Sequence, residues 1–197
     1  MGTKYKLIQV NNNPIDILWE NRPQPKKDKA ILLNQKYTGR SSNQKRIKLG
    51  EIIKSNKCDS AFITKLDSIA WLLNIRGNDI PCNPVLLCQG ILHSDGSFDL
   101  FIDENKIPIG FNKHVGPNVN VYNPSEILDQ LKIYNGKNIQ LDENQSNVWS
   151  HTVITNAGAK VLNQVDPCIL PKACKNKTEI NGMKNCHVRD AIAVCNF

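Results

Sequence analysis

Residues 66–85 read LDSIAWLLNIRGNDIPCNPV, and the organisation of the whole chain follows from this stretch. Its first half predicts a short apolar helix, because Ile69, Leu72 and Leu73 fall on one helical face. Its second half is rich in turn-forming steps, namely Arg-Gly, Asp-Ile-Pro and Asn-Pro. The run Val-Leu-Leu-Cys at 85–88 is typical of a strand. The stretch therefore predicts a helix, a tight loop and a strand in succession.

The loop over residues 76–84 has two interpretations. In the first, Gly77 and the two prolines only turn the chain between a helix and a strand. In the second, they hold a rigid loop that faces another domain or a ligand, with Arg76 as its charged tip. The residues alone favour the first interpretation.

Composition limits the possible functions. At 197 residues, the chain is long enough for one domain with a proper core plus an appendage. It is 40% hydrophobic and 22% charged, which is typical of a globular protein rather than a disordered one. The net charge of +7 would suit nucleic acid, but the basic residues are scattered and aromatic residues do not alternate with them. We therefore expect a solvated basic surface and no nucleic-acid partner.

Two further features bear on where the protein acts. No apolar run approaches the roughly 18 residues that a membrane helix needs, so no membrane partner is expected. The seven cysteines are an odd number, and none has the short paired spacing of a zinc site. Because the sequence has no signal-like start, we expect reduced thiols and a cytoplasmic protein.

Predicted helices and strands alternate along the rest of the chain. A helix over 41–57 begins with a capping box, in which Gln44 follows Ser41 at the required spacing, and its buried face includes Ile47, Gly50 and Ile53. An Asp-Gly step between apolar runs predicts a hairpin. Further helices are predicted over 15–19, 124–134 and 146–151, and strands over 6–10, 61–64, 85–92, 98–103, 119–122, 138–141 and 160–163. This alternation predicts an α/β domain with a mixed β-sheet flanked by helices.

The C-terminal segment differs from the rest. Asn176 and Glu179 have capping-box spacing and start a helix that continues to Phe197. The helix ends in apolar residues without a terminating Gly or Pro, so we interpret it as truncated, and we expect self-association through its exposed face. The predicted organisation is a loose segment over 1–12, a domain over 13–170, and a linker with the truncated helix over 171–197.

Catalytic motifs are missing from the sequence. It contains no nucleophile elbow, no glycine-rich phosphate loop and no His-Glu-x-x-His helix. The four histidines are scattered and are interpreted as structural or surface residues. A Cys–His pair that meets in space stays open as an alternative. We therefore predict no catalytic residue and no metal ligand in this chain.

Several segments together resemble the middle domain of three-domain Xaa-Pro aminopeptidases (aminopeptidase P), in the creatinase/prolidase superfamily. They are the stretch over 66–85, the sequence NPIDILW at 13–19 followed by Arg22 and Pro23, and the sequence DPCILPKACKN at 166–176. Residues 179–197, with Gly182, Met183 and the run HVRDA, resemble the first helix of the catalytic domain. The resemblance covers nearly the whole chain in the order of the family.

The resemblance implies a fold, an activity and a cofactor. The fold is that of the creatinase/prolidase N-terminal domain, and the family enzyme removes the first residue from peptides that have Pro second. It uses two divalent metals, typically manganese, held by two Asp, one His and two Glu of the catalytic domain. Those ligands lie downstream of the helix that ends this chain, and Asp190 is not one of them. We therefore expect no cofactor in this chain, and proline-containing peptides as partners of the full-length enzyme only.

The resemblance also places this domain beside the catalytic cleft. The loop over 76–84 is then the best candidate to reach the cleft, with Arg76, Gly77 and Asn83 as cleft-facing residues. Arg76 is able to meet a carboxylate or a backbone carbonyl there. An Arg76–Asp79 pair inside the loop is equally compatible with the sequence.

Our interpretation is the non-catalytic middle part of an Xaa-Pro aminopeptidase, which should not hydrolyse peptides alone. Two other functions stay open. One is a stand-alone binding module that kept the fold without the enzyme, against which the apolar C-terminal tail counts. The other is a nucleic-acid binder that relies on the positive charge, against which the scattering of the basic residues counts.

Overall fold

The computed structural model describes residues 8, 10 and 12–197. The loose segment expected over 1–12 and the strand expected over 6–10 lie outside this part of the chain, apart from residues 8, 10 and 12.

The strands of the described chain form two sheets. They are β1 (Ile31–Leu32), β2 (Ser60–Ile63), β3 (Ile75–Arg76), β4 (Gln89–His93), β5 (Phe98–Phe101), β6 (Val119–Tyr122), β7 (Asn138–Leu141) and β8 (Lys160–Asn163). Six of them make a sheet in the order β6–β5–β4–β2–β7–β8, while β1 and β3 form a separate antiparallel pair. In the large sheet, β4 is antiparallel to β2 and to β5, and the other three pairs are parallel. The large sheet is therefore mixed, as predicted.

Helices lie between and beside the strands. They are α1 (Pro14–Leu18), α2 (Gln35–Thr38), α3 (Ser42–Ser55), α4 (Leu66–Leu73), α5 (Phe111–Val115), α6 (Ile127–Leu131), α7 (Val148–Asn156), α8 (Ile169–Ala173) and α9 (Lys177–Asn196). The helix predicted over 146–151 thus begins later and is longer than the sequence indicated. Within the described chain, no helix combines the length and the apolar character needed to cross a membrane.

Apolar side chains cover both faces of the large sheet. On β2, Ala61 and Ile63 belong to one core cluster and Phe62 to the other, which is the two-residue alternation of a strand. The first cluster includes residues of α3 and α4, and the second includes residues of α6 and α7. Helices therefore cover a mixed sheet on two sides, and the predicted α/β fold class is confirmed.

The predicted start of α3 is confirmed, but only part of its predicted buried face is buried. Ser41 Oγ accepts the N–H of Gln44, and the Gln44 side chain accepts the N–H of Ser41, as the capping box requires. Gly50 and Ile53 are buried, whereas Ile47 is 47% exposed. The prediction for Ile47 is wrong because the buried face is rotated toward two cations of the same helix, which are described below.

The stretch over 66–85 forms the expected helix, α4, but not the expected strand. The run over 85–88 is irregular, and the next strand begins only at Gln89. A side chain accounts for the difference, because Asp79 Oδ2 accepts the N–H of Leu87 at 2.6 Å and so withdraws it from a strand ladder. The Asp-Gly hairpin between β4 and β5 is confirmed, with Gly96 at φ 85°.

Helix α9 is attached mainly through its first turn. Asn176 Oδ1 accepts the N–H of Glu179 at 3.0 Å and Glu179 Oε2 accepts the N–H of Asn176 at 2.9 Å, so the predicted capping box is confirmed. The Asn176 amide also donates to Thr38 O at 2.9 Å and ties the helix to α2. None of the 20 residues of α9 is buried.

Candidate functional site

A groove of about 970 Å³ lies between α4, the segment after β3, and α8 with α9. We call it the α4–α9 groove. Trp71 lies on its α4 side and Val85 in the segment after β3, and Met183 and Val188 line it from α9. Arg76 and Asn83, two of the three residues predicted to face a cleft, also line this groove.

Arg76 is not the exposed tip of a loop, as the sequence suggested. It lies in β3, opposite Ile31 of β1, and its side chain is half-buried. Its Nη1 donates to Ala70 O at 3.0 Å and to Ile75 O at 2.8 Å, and these bonds hold the guanidinium against the end of α4. Burial lowers the pKa of Arg76, and the charge of Glu179 partly offsets that effect.

The ion pair between Arg76 and Asp79, which the sequence allowed, does not form in the described chain. Asp79 instead receives a hydrogen bond from Lys106 Nζ at 2.6 Å, and this ion pair is almost fully buried. The same carboxylate holds the backbone of Leu87. Asp79 therefore stabilises the irregular segment before β4 and does not compensate the charge of Arg76.

Gly77 supports the groove rather than facing it. It is buried, and a Cβ at this position would come within 2.3 Å of Leu86 Cδ2. A glycine is needed here so that the segment after β3 can pack on Leu86. Asn83, in contrast, is exposed and its backbone pairs with Ile80 in a tight turn. The structure therefore places Arg76 and Asn83 in the lining of the same groove, whereas Gly77 is not part of that lining.

The sequence analysis missed the cation that supports the groove from behind. Lys45 of α3 donates to Trp71 O at 2.7 Å and to Asn74 Oδ1 at 2.6 Å, and its Nζ lies 4.3 Å from the centre of the Trp71 ring. Burial lowers the pKa of Lys45 to about 8. The overlooked sequence signal is its spacing to Leu49 and Ile53, one and two turns along α3, which puts all three residues on one helical face.

The charges of the groove are only partly balanced. Asp67 forms an ion pair with Lys172 of α8. Burial acts to raise the pKa of Asp67, but its hydrogen bond with Lys172 and the positive charge of that residue keep the pKa below its usual value. The Glu179 carboxylate accepts the N–H of Asn176. Arg189, on α9, has no hydrogen-bond or ion-pair partner among the described residues. The groove therefore carries an excess of positive charge.

Metal binding requires several ligand side chains close together, and the described residues do not provide them. Among the described residues, no three His, Cys, Asp or Glu side chains lie close enough together to hold a metal ion. His93 is bonded to Asp99 at 2.8 Å, and His114 Nε2 lies 3.0 Å from Asn74 O, so both histidines have structural partners. The residues of this part of the chain do not fit a dinuclear metal site.

The fold that carries this groove is that of a known domain family. The chain belongs to the creatinase/prolidase N-terminal domain family, whose model matches residues 21–179. It is 35% identical over 180 residues to Xaa-Pro aminopeptidase 1 of Dictyostelium discoideum, with 90% of this chain and 28% of the relative aligned. It is 30% identical to a probable Xaa-Pro aminopeptidase P of Ajellomyces capsulatus, with 97% of this chain and 32% of the relative aligned.

A solved structure agrees with the sequence relatives. The X-prolyl aminopeptidase of Caenorhabditis elegans, described as a cytosolic enzyme with a di-nuclear active site, superposes with a TM-score of 0.84 at 28% identity. The superposition covers 95% of this chain and 31% of the enzyme. The chain thus spans about three tenths of the length of the relatives it matches.

Proposed function

We propose that this chain is the non-catalytic middle domain of an Xaa-Pro aminopeptidase, a metal-dependent enzyme that removes the first residue from peptides with Pro second. The observation that carries the proposal is the superposition of nearly the whole chain on one part of the C. elegans enzyme. In this proposal hydrolysis depends on a manganese pair held by a catalytic domain, because the described residues of this chain offer no suitable set of ligands.

The proposed position of the domain is beside the substrate cleft. Arg76 and Asn83 support it, since both line the α4–α9 groove and one wall of that groove is α9. By the sequence resemblance, α9 is the first helix of the catalytic domain. The two side chains would position the peptide without touching the reacting atoms. We propose a cytoplasmic location, in line with the description of the C. elegans enzyme as cytosolic.

A chimera tests the proposal. This chain would replace the matching part of the C. elegans enzyme, and release of the first residue from an Arg-Pro-Pro peptide would be measured with manganese present. We expect the chimera to be active, and Arg76→Gln to raise KM severalfold with little change in kcat. The control is Lys160→Gln, an exposed residue of β8 outside the groove.

The chain on its own supplies the second arm of that experiment. We expect no manganese-dependent release of the first residue above the blank. Hydrolysis by the chain alone would contradict the proposal, and so would a folded chimera whose KM is the same with Arg76→Gln as with Lys160→Gln.

A stand-alone binding module with no hydrolase activity is the second candidate function. The observation that favours it is the groove itself, whose volume is in the range of ligand sites in proteins. A folded but inactive chimera would favour this candidate.

A further inference from the structure

Arg76 carries a positive charge that the described chain leaves without a counter-ion. Both of its hydrogen bonds come from Nη1, so Nε and Nη2 have no acceptor among the described residues. No carboxylate lies within ion-pair distance of Arg76 in that part of the chain, although Glu179 influences its charge from farther away. A half-buried guanidinium with unused donors, held in place by two carbonyls, is pre-organised to receive a carboxylate in bidentate fashion.

The other charged groups of the groove point to the same ligand chemistry. Its two carboxylates are already engaged, Asp67 with Lys172 and Glu179 with the backbone of Asn176. Arg189 has no partner in the described chain, and it faces the same groove as Arg76. Lys36, Lys172 and Lys175 also line the groove, so an anionic ligand would meet more cations than carboxylates, and the engaged carboxylates would not have to be displaced.

The uncharged lining suits a polypeptide. Asn83, Asn181 and Asn185 line the groove with side-chain amides, each of which offers a donor and an acceptor to a peptide backbone. Between them, Trp71 and Met183 provide apolar surface. A half-buried cation inside a concave site is reached more easily by a narrow extended segment than by the flat face of a folded domain.

We propose that the α4–α9 groove binds an extended acidic peptide segment, with its carboxylate on Arg76 and Arg189 as the second contact. This site lies between α9 and the domain that precedes it, and it does not require that the chain take part in Xaa-Pro hydrolysis. Binding should weaken as salt concentration rises, because the interaction is between opposite charges near the surface.

The test uses the intrinsic fluorescence of Trp71. Trp19 and Trp149, the other two tryptophans, are outside the groove and would be replaced by Phe, which leaves Trp71 as the reporter. The probe is a blocked hexapeptide with two glutamates between apolar residues, and the matched probe has glutamine in both places. We expect saturable binding of the glutamate peptide and at least about tenfold weaker binding of the glutamine peptide.

Variants identify the site. Arg76→Gln and Arg189→Gln should each lower the affinity for the glutamate peptide by about tenfold, whereas Lys160→Gln should leave that affinity unchanged. Because Arg76 also bonds the end of α4, far-ultraviolet circular dichroism would establish that its variant folds, and Arg189→Gln on the exposed face of α9 provides an independent measurement.

Several results would overturn the proposal. They are equal binding of the two peptides, the absence of binding at low salt, and insensitivity to both arginine substitutions. Sedimentation of the chain as a dimer that excludes the peptide would also overturn it, because a second copy would then occupy the groove. The activity of the chimera described above does not enter any of these outcomes, so the two proposals succeed or fail separately.

Discussion

Two buried cations of α3 show how single residues hold this fold together. Arg46 is fully buried and donates to the carbonyls of Gly96, Val115 and Pro117, and in this way joins α3 to the β4–β5 hairpin and to the segment before β6. Burial lowers its pKa to about 10, with the charge of Asp95 opposing. Carbonyl dipoles thus replace the water that each charge loses, since a buried charge without partners would be very costly.

Lys45 gives a prediction about pH. Its pKa is about 8 in the folded protein and 10.5 as its ordinary value, so between these values the unfolded chain binds more protons than the folded one. The contribution of Lys45 to the free energy of unfolding therefore rises with pH between about 8 and 10.5. We expect the free energy of unfolding of the wild type, relative to Lys45→Met, to rise by about 2 kcal/mol between about pH 7.5 and about pH 9.5.

The measurement is urea unfolding of both proteins at each pH. The comparison with Lys45→Met is needed because the thiol of Cys88 ionises in the same pH range in the unfolded chain, which changes stability in the opposite direction. Burial raises the pKa of that thiol to about 12, so its contribution to stability falls above the ordinary value of 9.0. A difference between the two proteins that does not change with pH would show that Lys45 keeps its usual pKa.

At the scale of elements, α3 and α9 begin with the same motif but differ in what they bury. Both have a complete capping box. Helix α3 contributes Leu49 and Ile53 to the core, whereas α9 has no buried residue. Most of the stability of a helix in a protein comes from packing its apolar face, so α9 depends on its cap more than α3 does.

Removing each cap should therefore have different consequences. Ser41→Ala should lower the global free energy of unfolding by about 1 kcal/mol, because α3 folds with the core. Asn176→Ala should leave global stability nearly unchanged but increase amide hydrogen exchange along α9. Urea unfolding and hydrogen exchange measure the two effects. Equal loss of global stability in both variants would show that α9 is part of the cooperative core.

At the scale of the whole molecule, exposed apolar surface is concentrated on elements that do not pack on the sheet. Helix α1 has no buried residue, and Trp19 after it is 50% exposed. On α9, Ile192 and Val194 are 56% and 75% exposed. Because α9 buries none of its residues, these apolar side chains are available for contact with another molecule.

We expect the chain to self-associate through α9 at high concentration. The net charge of +7 opposes this association, so added salt should strengthen it by screening the repulsion. Sedimentation velocity at rising concentration would measure it, and replacing Ile192 and Val194 by Lys should abolish it. Leu128→Lys, at a similarly exposed residue of α6, is the control. A monomer at every concentration and salt level would contradict the prediction.

The sequence by itself determined the fold class, because its determinants are local. Capping boxes at Ser41 and Asn176, the Asp-Gly hairpin and the apolar face of the helix over 66–74 each depend on residues a few positions apart. These short-range rules, together with the resemblance of four segments to one family, sufficed for a mixed sheet flanked by helices. The bounds of 13–170 and 171–197 stay predictions.

Only the tertiary structure decided the arrangement of the site. Arg76 donates to Ala70 O, and Asp79 pairs with Lys106, and neither choice can be read from the spacing of these residues along the chain. Which carboxylate a cation meets depends on how separate elements pack, and on whether burial leaves it a partner at all. The same reason explains why the partners of Lys45 and the position of Gly77 under Leu86 emerged only in the folded chain.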